Sequence, residues 1–333
     1  MLLVARDPRF EAHDPGRSHP ERPARLHAVL AGLETGADPD ALLPLAPRRA
    51  TRTELERVHD STYLDRLERF CAAGGGQIDA DTAATTASWD AAVLAAGSGL
   101  AAVDALARGD ASAAFCAVRP PGHHAVTRGA MGFCLLNNVA VTAAALRDQG
   151  ERVLIVDWDA HHGNGTQEIF WSDSAVLYVS LHEWPLYPGT GRLDDVGTGE
   201  GVGATVNFPL PAGATGDVYR EAFDTVIAPL AERFAPTWVL VSAGYDAHRD
   251  DPLTGLGLSA GDYADLTNRV AAIAPPGRLL LFLEGGYDLE ALRTSVAATA
   301  GALLGENVRP EPATGAGPGH TVVRAVRELH SNC

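Results

Sequence analysis

Apolar runs of strand length recur along the chain at about 2–5, 112–118, 152–157, 175–181, 204–208, 237–242 and 278–283. Between them lie stretches with helical spacing of apolar positions, at about 23–34, 61–73, 88–108, 135–148, 165–171, 217–234, 260–274 and 288–304. Strands alternating with helices predict an α/β protein, with a mostly parallel sheet covered by helices on both faces. The 88–108 stretch is rich in alanine and stops at Gly109, a helix terminator. No internal repeat interrupts the pattern. Residues 306–319 are rich in Pro and Gly, and Val322–Leu329 has helical spacing again. The expected organisation is one large domain over 1–305 and a linker with a short terminal helix over 306–333, packed back on that domain.

The polar residues that break this pattern gather just after the strand-like runs. Residues 112–118 lead into Arg119-Pro-Pro-Gly-His123-His124, and 152–157 end in Asp157-Trp-Asp159-Ala-His161. Residues 237–242 lead into Ala243-Gly-Tyr-Asp246-Ala-His248, and 278–283 into Glu284-Gly-Gly-Tyr287. Sites in open parallel sheets form outside the carboxyl ends of the strands, so four segments aim polar groups at one rim. Asp159 and His161 are two apart, which in an extended segment turns both side chains the same way. That suits two ligands of one metal ion, and Asp246, after another strand, is the best candidate for a third. Three protein ligands with an open position describe a catalytic metal. Two carboxylates would offset the charge of a divalent ion and weaken it as a Lewis acid, so a separate base and oxyanion donor are required.

A lone histidine is more often structural than catalytic, but a tandem pair on the same rim as an Asp-x-His shifts that balance. His123 and His124 could flank a substrate carbonyl as base and acid partner. Asp157 could orient one imidazole and Asn164 the other. Gly285 and Gly286 would let the backbone turn tightly and bring the Tyr287 hydroxyl to a developing oxyanion. Gly-Gly-Tyr alone would be read as a plain turn; its place after a strand favours the functional role. Phe133 and Tyr187 could wall an apolar channel, although taken singly each reads as core or turn.

Composition narrows the field. The chain has 333 residues, 46% of them hydrophobic, enough for one large α/β domain. A net charge of −16 argues against sequence-independent binding to nucleic acid. It is compatible with cationic partners such as polyamines or lysine-rich tails, and equally with ordinary solubility. All 26 basic residues are arginine. The cysteines, Cys71, Cys116, Cys134 and Cys333, show no CxxC pair or disulfide-scaffold spacing, which fits a reducing compartment. Met-Leu-Leu-Val-Ala meets Arg6-Asp7-Pro8 too soon for a signal sequence, and no later stretch reads as a membrane span. The expectation is a cytoplasmic protein.

Several motifs then occur in one order. They are Arg119-Pro-Pro-Gly-His-His-Ala, Gly132-Phe-Cys-Leu-Leu-Asn-Asn, Val156-Asp-Trp-Asp-Ala-His-His-Gly-Asn-Gly-Thr-Gln, Tyr187-Pro-Gly-Thr-Gly, Ser242-Ala-Gly-Tyr-Asp-Ala-His and Leu283-Glu-Gly-Gly-Tyr. From His19-Pro-Glu-Arg-Pro to about residue 304 the chain resembles the histone deacetylase superfamily, in particular its class II-like bacterial members, which include acetylpolyamine amidohydrolases. The resemblance implies the arginase/deacetylase fold with an eight-stranded parallel sheet, one strand more than the apolar runs supply. It implies one catalytic Zn2+ held by Asp159, His161 and Asp246, a set that also tolerates iron. A water activated by that metal would attack the amide of an acylated amine. His124 would be the general base. His123, oriented by Asp157, would be its partner, and Tyr287 the oxyanion donor.

The resemblance also implies one or two structural K+ or Na+ ions. One would lie near Asp157, Asp159, His161, Ser180 and Leu181, where it would tune the histidine pair. A second would lie near Phe170, Asp173, Val176 and Asn207. Asp81 matches an acid on the pocket rim, Arg25 a channel arginine, and Gly132, Phe133, Tyr187, Leu253 and Gly285 the substrate-binding positions. Asn164 stands where other branches carry Asp. Leu253 sits where polyamine-selective members carry a Glu, so an apolar rim favours acyl-lysine over a free polyamine. The leading expectation is a deacylase of Nε-acyl-lysine, with no nucleic-acid or membrane partner, and with self-association left open. The alternatives are an acetylpolyamine deacetylase, an inactive acyl-lysine binding module, and a binuclear arginase-like hydrolase. The last lacks the extra carboxylates it would need.

Overall fold

A computed structural model describes residues 1–331; Cys333 lies outside the described residues. Among the described residues ten strands are present: β1 (Leu2–Ala5), β2 (Leu42–Leu45), β3 (Gly75–Gln77), β4 (Ala83–Thr85), β5 (Ala113–Cys116), β6 (Val153–Asp157), β7 (Val176–Glu183), β8 (Thr205–Leu210), β9 (Trp238–Ala243) and β10 (Leu279–Leu283). Eight form one sheet in the order β2-β1-β5-β10-β9-β6-β7-β8, and every pairing in it is parallel. This is the arrangement expected of the arginase/deacetylase fold. All residues of β5, β6, β9 and β10 are buried, as a parallel sheet covered on both faces requires.

The strand without a sequence counterpart is β2. It is a four-residue edge strand, Leu-Leu-Pro-Leu, only partly buried and paired with β1 alone. Pro44 cannot donate to a ladder, so an edge is where such a strand is tolerated, and its proline hides it from a pattern reading. The small antiparallel β3–β4 hairpin is hidden for a related reason, since Gly75-Gly-Gln offers no side-chain periodicity.

The helix expected over 217–234 is interrupted. It runs as Gly216–Ala222, a π-helical turn Phe223–Ile227, and Ala228–Phe234. Pro229 has no N–H to continue the α-helical ladder, and a π-turn just before it absorbs the mismatch. Helix Ser88–Ala107 is long and apolar enough to cross a membrane, yet 83% of that stretch is buried inside the fold. It is the core helix behind β5 and β10.

Register places the site. Asp157 at the end of β6 pairs with Ser242 in β9, and Ala243 at the end of β9 pairs with Leu283 of β10. Three adjacent central strands therefore finish at one level. The residues immediately beyond them are Asp159 and His161, Asp246, and Tyr287.

Candidate active site

Asp159, His161 and Asp246 converge, each offering one ligand atom within 4.8 Å of the others, and all three residues are buried. His161 Nδ1 lies 2.9 Å from Asp246 Oδ2 and 3.3 Å from Asp159 Oδ1. Ligands about 2.0–2.1 Å from one tetrahedral ion stand roughly 3.3 Å apart, so the spacing fits a single first-row metal. The other carboxylate oxygens are held from behind: Gly285 N–H donates to Asp159 Oδ2 (2.7 Å) and Ala160 N–H to Asp246 Oδ1 (2.8 Å). Gly285 must be glycine, because a Cβ there would lie 2.3 Å from Asp246 Oδ2.

The electrostatics point the same way. Burial disfavours charge on His161, but Asp159 and Asp246 more than offset it and raise its proton affinity well above that of a free imidazole. Burial, then Asp159, pushes Asp246 up to about 7. Two dry carboxylates around one imidazole thus call for a cation, and a divalent metal meets that demand. His161 keeps 9% exposure while Asp159 and Asp246 have 1% or less, so the open side of the cluster lies at the imidazole.

The tandem histidines sit beside this cluster with unlike surroundings. His123 Nδ1 donates to Asp157 Oδ2 (3.0 Å), and Tyr178 hydroxyl donates to the same oxygen (3.0 Å). Burial opposes a charge on His123, yet Asp157 and Asp159 prevail and raise it to about 10. His124 Nδ1 donates to Asn164 Oδ1 (2.8 Å), while Asn164 Nδ2 faces Met131 Sδ and the His124 carbonyl. Burial, then the charges of His123 and His161, hold His124 well below the ordinary imidazole range. The surroundings thus favour the protonated form of one ring and the neutral form of its neighbour, with ring centroids 4.0 Å apart.

Tyr287 arrives on the turn after β10. Its N–H donates to Asp251 Oδ2 (2.7 Å), and the Arg25 guanidinium carbon stands 5.0 Å from its ring centroid. Burial, which outweighs the opposing Arg25 charge, raises the phenol well above its usual range, so its hydroxyl remains a donor. Arg25 also donates to the carbonyls of Gly286 (2.7 Å) and Glu284.

Of the expected channel residues, Gly132, Phe133 and Tyr187 come together around these groups. Phe133 has φ +68°, a left-handed backbone rarely taken by a bulky residue. That turn sets its ring edge-on to Tyr287 (5.8 Å) and to His19 (4.7 Å). Gly132 precedes it at φ +56°, with no room for a Cβ against the His124 ring (2.3 Å). Tyr187 stands edge-on to His124 at 5.2 Å, and Tyr187 and Leu253 are each 37% exposed. Asp81 accepts from Thr82 Oγ1 (2.7 Å) and follows Asp79 in the β3–β4 hairpin.

Of the residues expected around structural cations, Ser180 is the register partner of Asp157, and its hydroxyl contacts His182 Nδ1 (2.9 Å). Leu181 follows it within β7. In the second group, Asn207 Oδ1 is buried without a hydrogen-bond partner, as an ion-facing acceptor would be. The Asp173 carboxylate accepts from Arg147 (3.0 Å) and Ala175 N–H (2.9 Å). Phe170 and Val176 flank it in sequence, and both are buried.

Sequence reasoning gave no role to Glu284, Asp251 or Tyr178. Glu284 is buried, and its Oε2 accepts from the N–H groups of Gly122 (2.6 Å) and His123 (3.1 Å), anchoring the histidine loop to β10. The available signal was an acid directly after the apolar run 279–283, a place where an unpaired charge is costly.

Residues 19–303 match the histone deacetylase domain. A probable deacetylase of Archaeoglobus fulgidus is 43% identical over 84% of this chain and 79% of its own length. Histone deacetylase 15 of Arabidopsis thaliana is 44% identical over 88% of this chain, which spans 54% of that longer protein. The crystal structure of the HDA15 HD domain superposes with a TM-score of 0.91 at 40% identity, covering 99% of this chain and 94% of that one. With the sheet, the order of motifs and the convergent site in agreement, the chain belongs to the histone deacetylase family.

Proposed function

We propose that this deacetylase is zinc-dependent and removes an acyl group, typically acetyl, from Nε-acyl-lysine or a closely similar acylated amine. The observation that carries this reading is the convergence of Asp159, His161 and Asp246 beside His123, held by Asp157, and His124, held by Asn164. Asp159, His161 and Asp246 would hold the divalent ion, which would supply Lewis acidity to the acyl carbonyl and to the attacking water.

The chain's own groups do the rest. His124, with Nδ1–H committed to Asn164, presents Nε2 as the acceptor for the proton of the attacking water. His123, held by Asp157, places a positive charge beside the reacting carbon and hands a proton to the departing amine. Tyr287 donates from its hydroxyl to the developing oxyanion. Phe133 and Tyr187 flank the acyl-bearing methylene chain. The products are a carboxylate and an amine: the acid proton of the new carboxyl group returns to His123, and the proton held by His124 leaves with the amine or to solvent, so both rings are restored. An acyl-lysine reader without catalysis is disfavoured because the base, its partner, the oxyanion donor and the three ligands are all present together.

The test is a substrate panel on zinc-loaded protein. Acetyl-lysine and longer acyl-lysine peptides should turn over, and acetylspermidine and acetylputrescine more slowly. The reverse order would assign the protein to polyamines. No turnover of any member would sink the reading.

A further inference from the structure

The chain beyond residue 303, past the matched domain, folds back and reaches the loop that carries the third ligand. We propose that Glu311 in this tail is a positioning residue for the reaction, acting through His248 and Arg249 on the loop from Asp246 to Leu258. This inference rests on the function proposed above.

Glu311 Oε2 accepts from His248 Nε2 (2.7 Å) and from Ala260 N–H (3.0 Å), while Oε1 pairs with the Arg249 guanidinium. The tautomer of His248 follows from its other nitrogen: Nδ1 receives Asp250 N–H (3.2 Å), so the proton sits on Nε2 and points at Glu311. One carboxylate therefore ties both ends of the 248–260 loop. The loop is closed at its base by Leu258 N–H to Ala247 O (3.0 Å) and Arg249 N–H to Leu258 O (2.9 Å).

At the entrance of this closed loop and within it are groups that the reaction needs. Asp246 stands two residues before His248, and its carbonyl accepts from Thr254 Oγ1 (2.5 Å). Asp251 accepts Tyr287 N–H (2.7 Å) and Leu253 N–H (3.0 Å), so the loop sets the height of the oxyanion donor. A carboxylate on the tail is thus linked to Tyr287 through three hydrogen bonds, by way of His248 and Asp251, and to Asp246 through the short backbone stretch that joins it to His248. Further along the tail the Thr314 hydroxyl donates to Asp262 and accepts Gly216 N–H, on helices outside the loop and without a hydrogen bond to His248 or Arg249. A change at Thr314 therefore serves as a control for general loosening of the tail.

The experiment compares full-length Glu311→Ala, Glu311→Gln, His248→Asn and Thr314→Val. Turnover is measured on an acetyl-lysine peptide, zinc affinity by chelator competition, and stability by thermal melting. Glu311→Ala should lower kcat by about 10- to 100-fold with KM within about two-fold, and weaken zinc binding about ten-fold. Glu311→Gln keeps an acceptor for His248 and Ala260 and should recover kcat to within about three-fold of wild type. His248→Asn should reproduce the kcat loss, and the double variant should be no worse than the poorer single one. Thr314→Val should melt lower with kcat unchanged.

Wild-type kcat and zinc affinity in Glu311→Ala would overturn the proposal. So would additive losses in the double variant, or an equal kcat loss in Thr314→Val. If Glu311→Ala does not fold, the Glu311→Gln and His248→Asn pair with its double variant tests the same coupling. The zinc arm reads the placement of Asp246 even if the wild type turns over none of the peptides, which separates failure of this inference from failure of the proposed function.

Discussion

His124 Nδ1 lies 2.8 Å from Asn164 Oδ1, and this one contact decides which imidazole nitrogen faces the reaction. Because an amide oxygen can only accept, Nδ1 carries the proton and Nε2 is left as base. A neutral amide also adds no charge. Burial and the neighbouring His123 and His161 charges then keep His124 unprotonated near neutrality.

Replacing Asn164 by Asp should raise the proton affinity of His124, since the new carboxylate favours the imidazolium. Activity requires the neutral ring, so it rises with pH through the His124 pKa. The acidic limb of the kcat/KM profile should therefore move to higher pH by about one unit or more. An unmoved limb would show that His124 is not the titrating base.

Tyr287→Phe should keep the metal and the fold but lose the oxyanion donor. The expected loss in kcat is roughly 100- to 1,000-fold, with KM little changed. Steady-state kinetics with metal analysis of the same sample check it.

Zinc should stabilise the folded chain because Asp159, His161 and Asp246 assemble only on folding. At a free zinc concentration about 100 times the dissociation constant the gain is about 2.7 kcal/mol. A melting curve with zinc should sit several degrees above the metal-stripped one, and Asp246→Asn should abolish the difference.

Acid should destabilise the fold through buried neutral histidines. Burial lowers His59 and His182 to about 4 each. His59 donates from Nδ1 to Val126 O and accepts Asn137 N–H at Nε2, so it cannot take a second proton without losing a bond. A folded-state pKa below the unfolded value means stability that is full above about pH 6.5 and lost as pH falls through about 4. Each contributes roughly 3 kcal/mol over that window. Because Asp246, Glu284 and His123 shift the other way, the check is comparative: a His59→Gln variant should lose less melting temperature than the wild type between pH 6.5 and 4.5, and an equal loss in both would contradict this.

Leu253→Glu should turn the rim toward cations. Leu253 is 37% exposed on the loop that Asp251 fixes to Tyr287. A carboxylate there should raise kcat/KM for acetylspermidine relative to an acetyl-lysine peptide by about ten-fold. Competition between the two substrates measures the ratio.

Much of this was legible in the chain because buried parallel strands are read as apolar runs and their carboxyl ends as sudden polarity. Asp157, Asp159 and His161 announce themselves at the end of 152–157, and Asp246 and Tyr287 do so after two other runs. The strand β2 was not legible: a proline-containing edge strand lacks both the length and the alternation that mark a strand. The supporting contacts were also hidden. Asp251 reaches Tyr287 across 36 residues and Glu311 reaches His248 across 63, and nothing in local spacing encodes such pairings. The π-turn at Phe223–Ile227 could have been suspected from Pro229, which a helical reading of 217–234 passed over.

The central claim is best tested by removing zinc from one preparation and restoring it while following acetyl-lysine turnover and metal content together. Activity should vanish with the metal and return in proportion to zinc, reaching its maximum at one ion per chain. Full turnover in metal-stripped protein, or none in zinc-loaded protein across the acyl-amine panel, would contradict it.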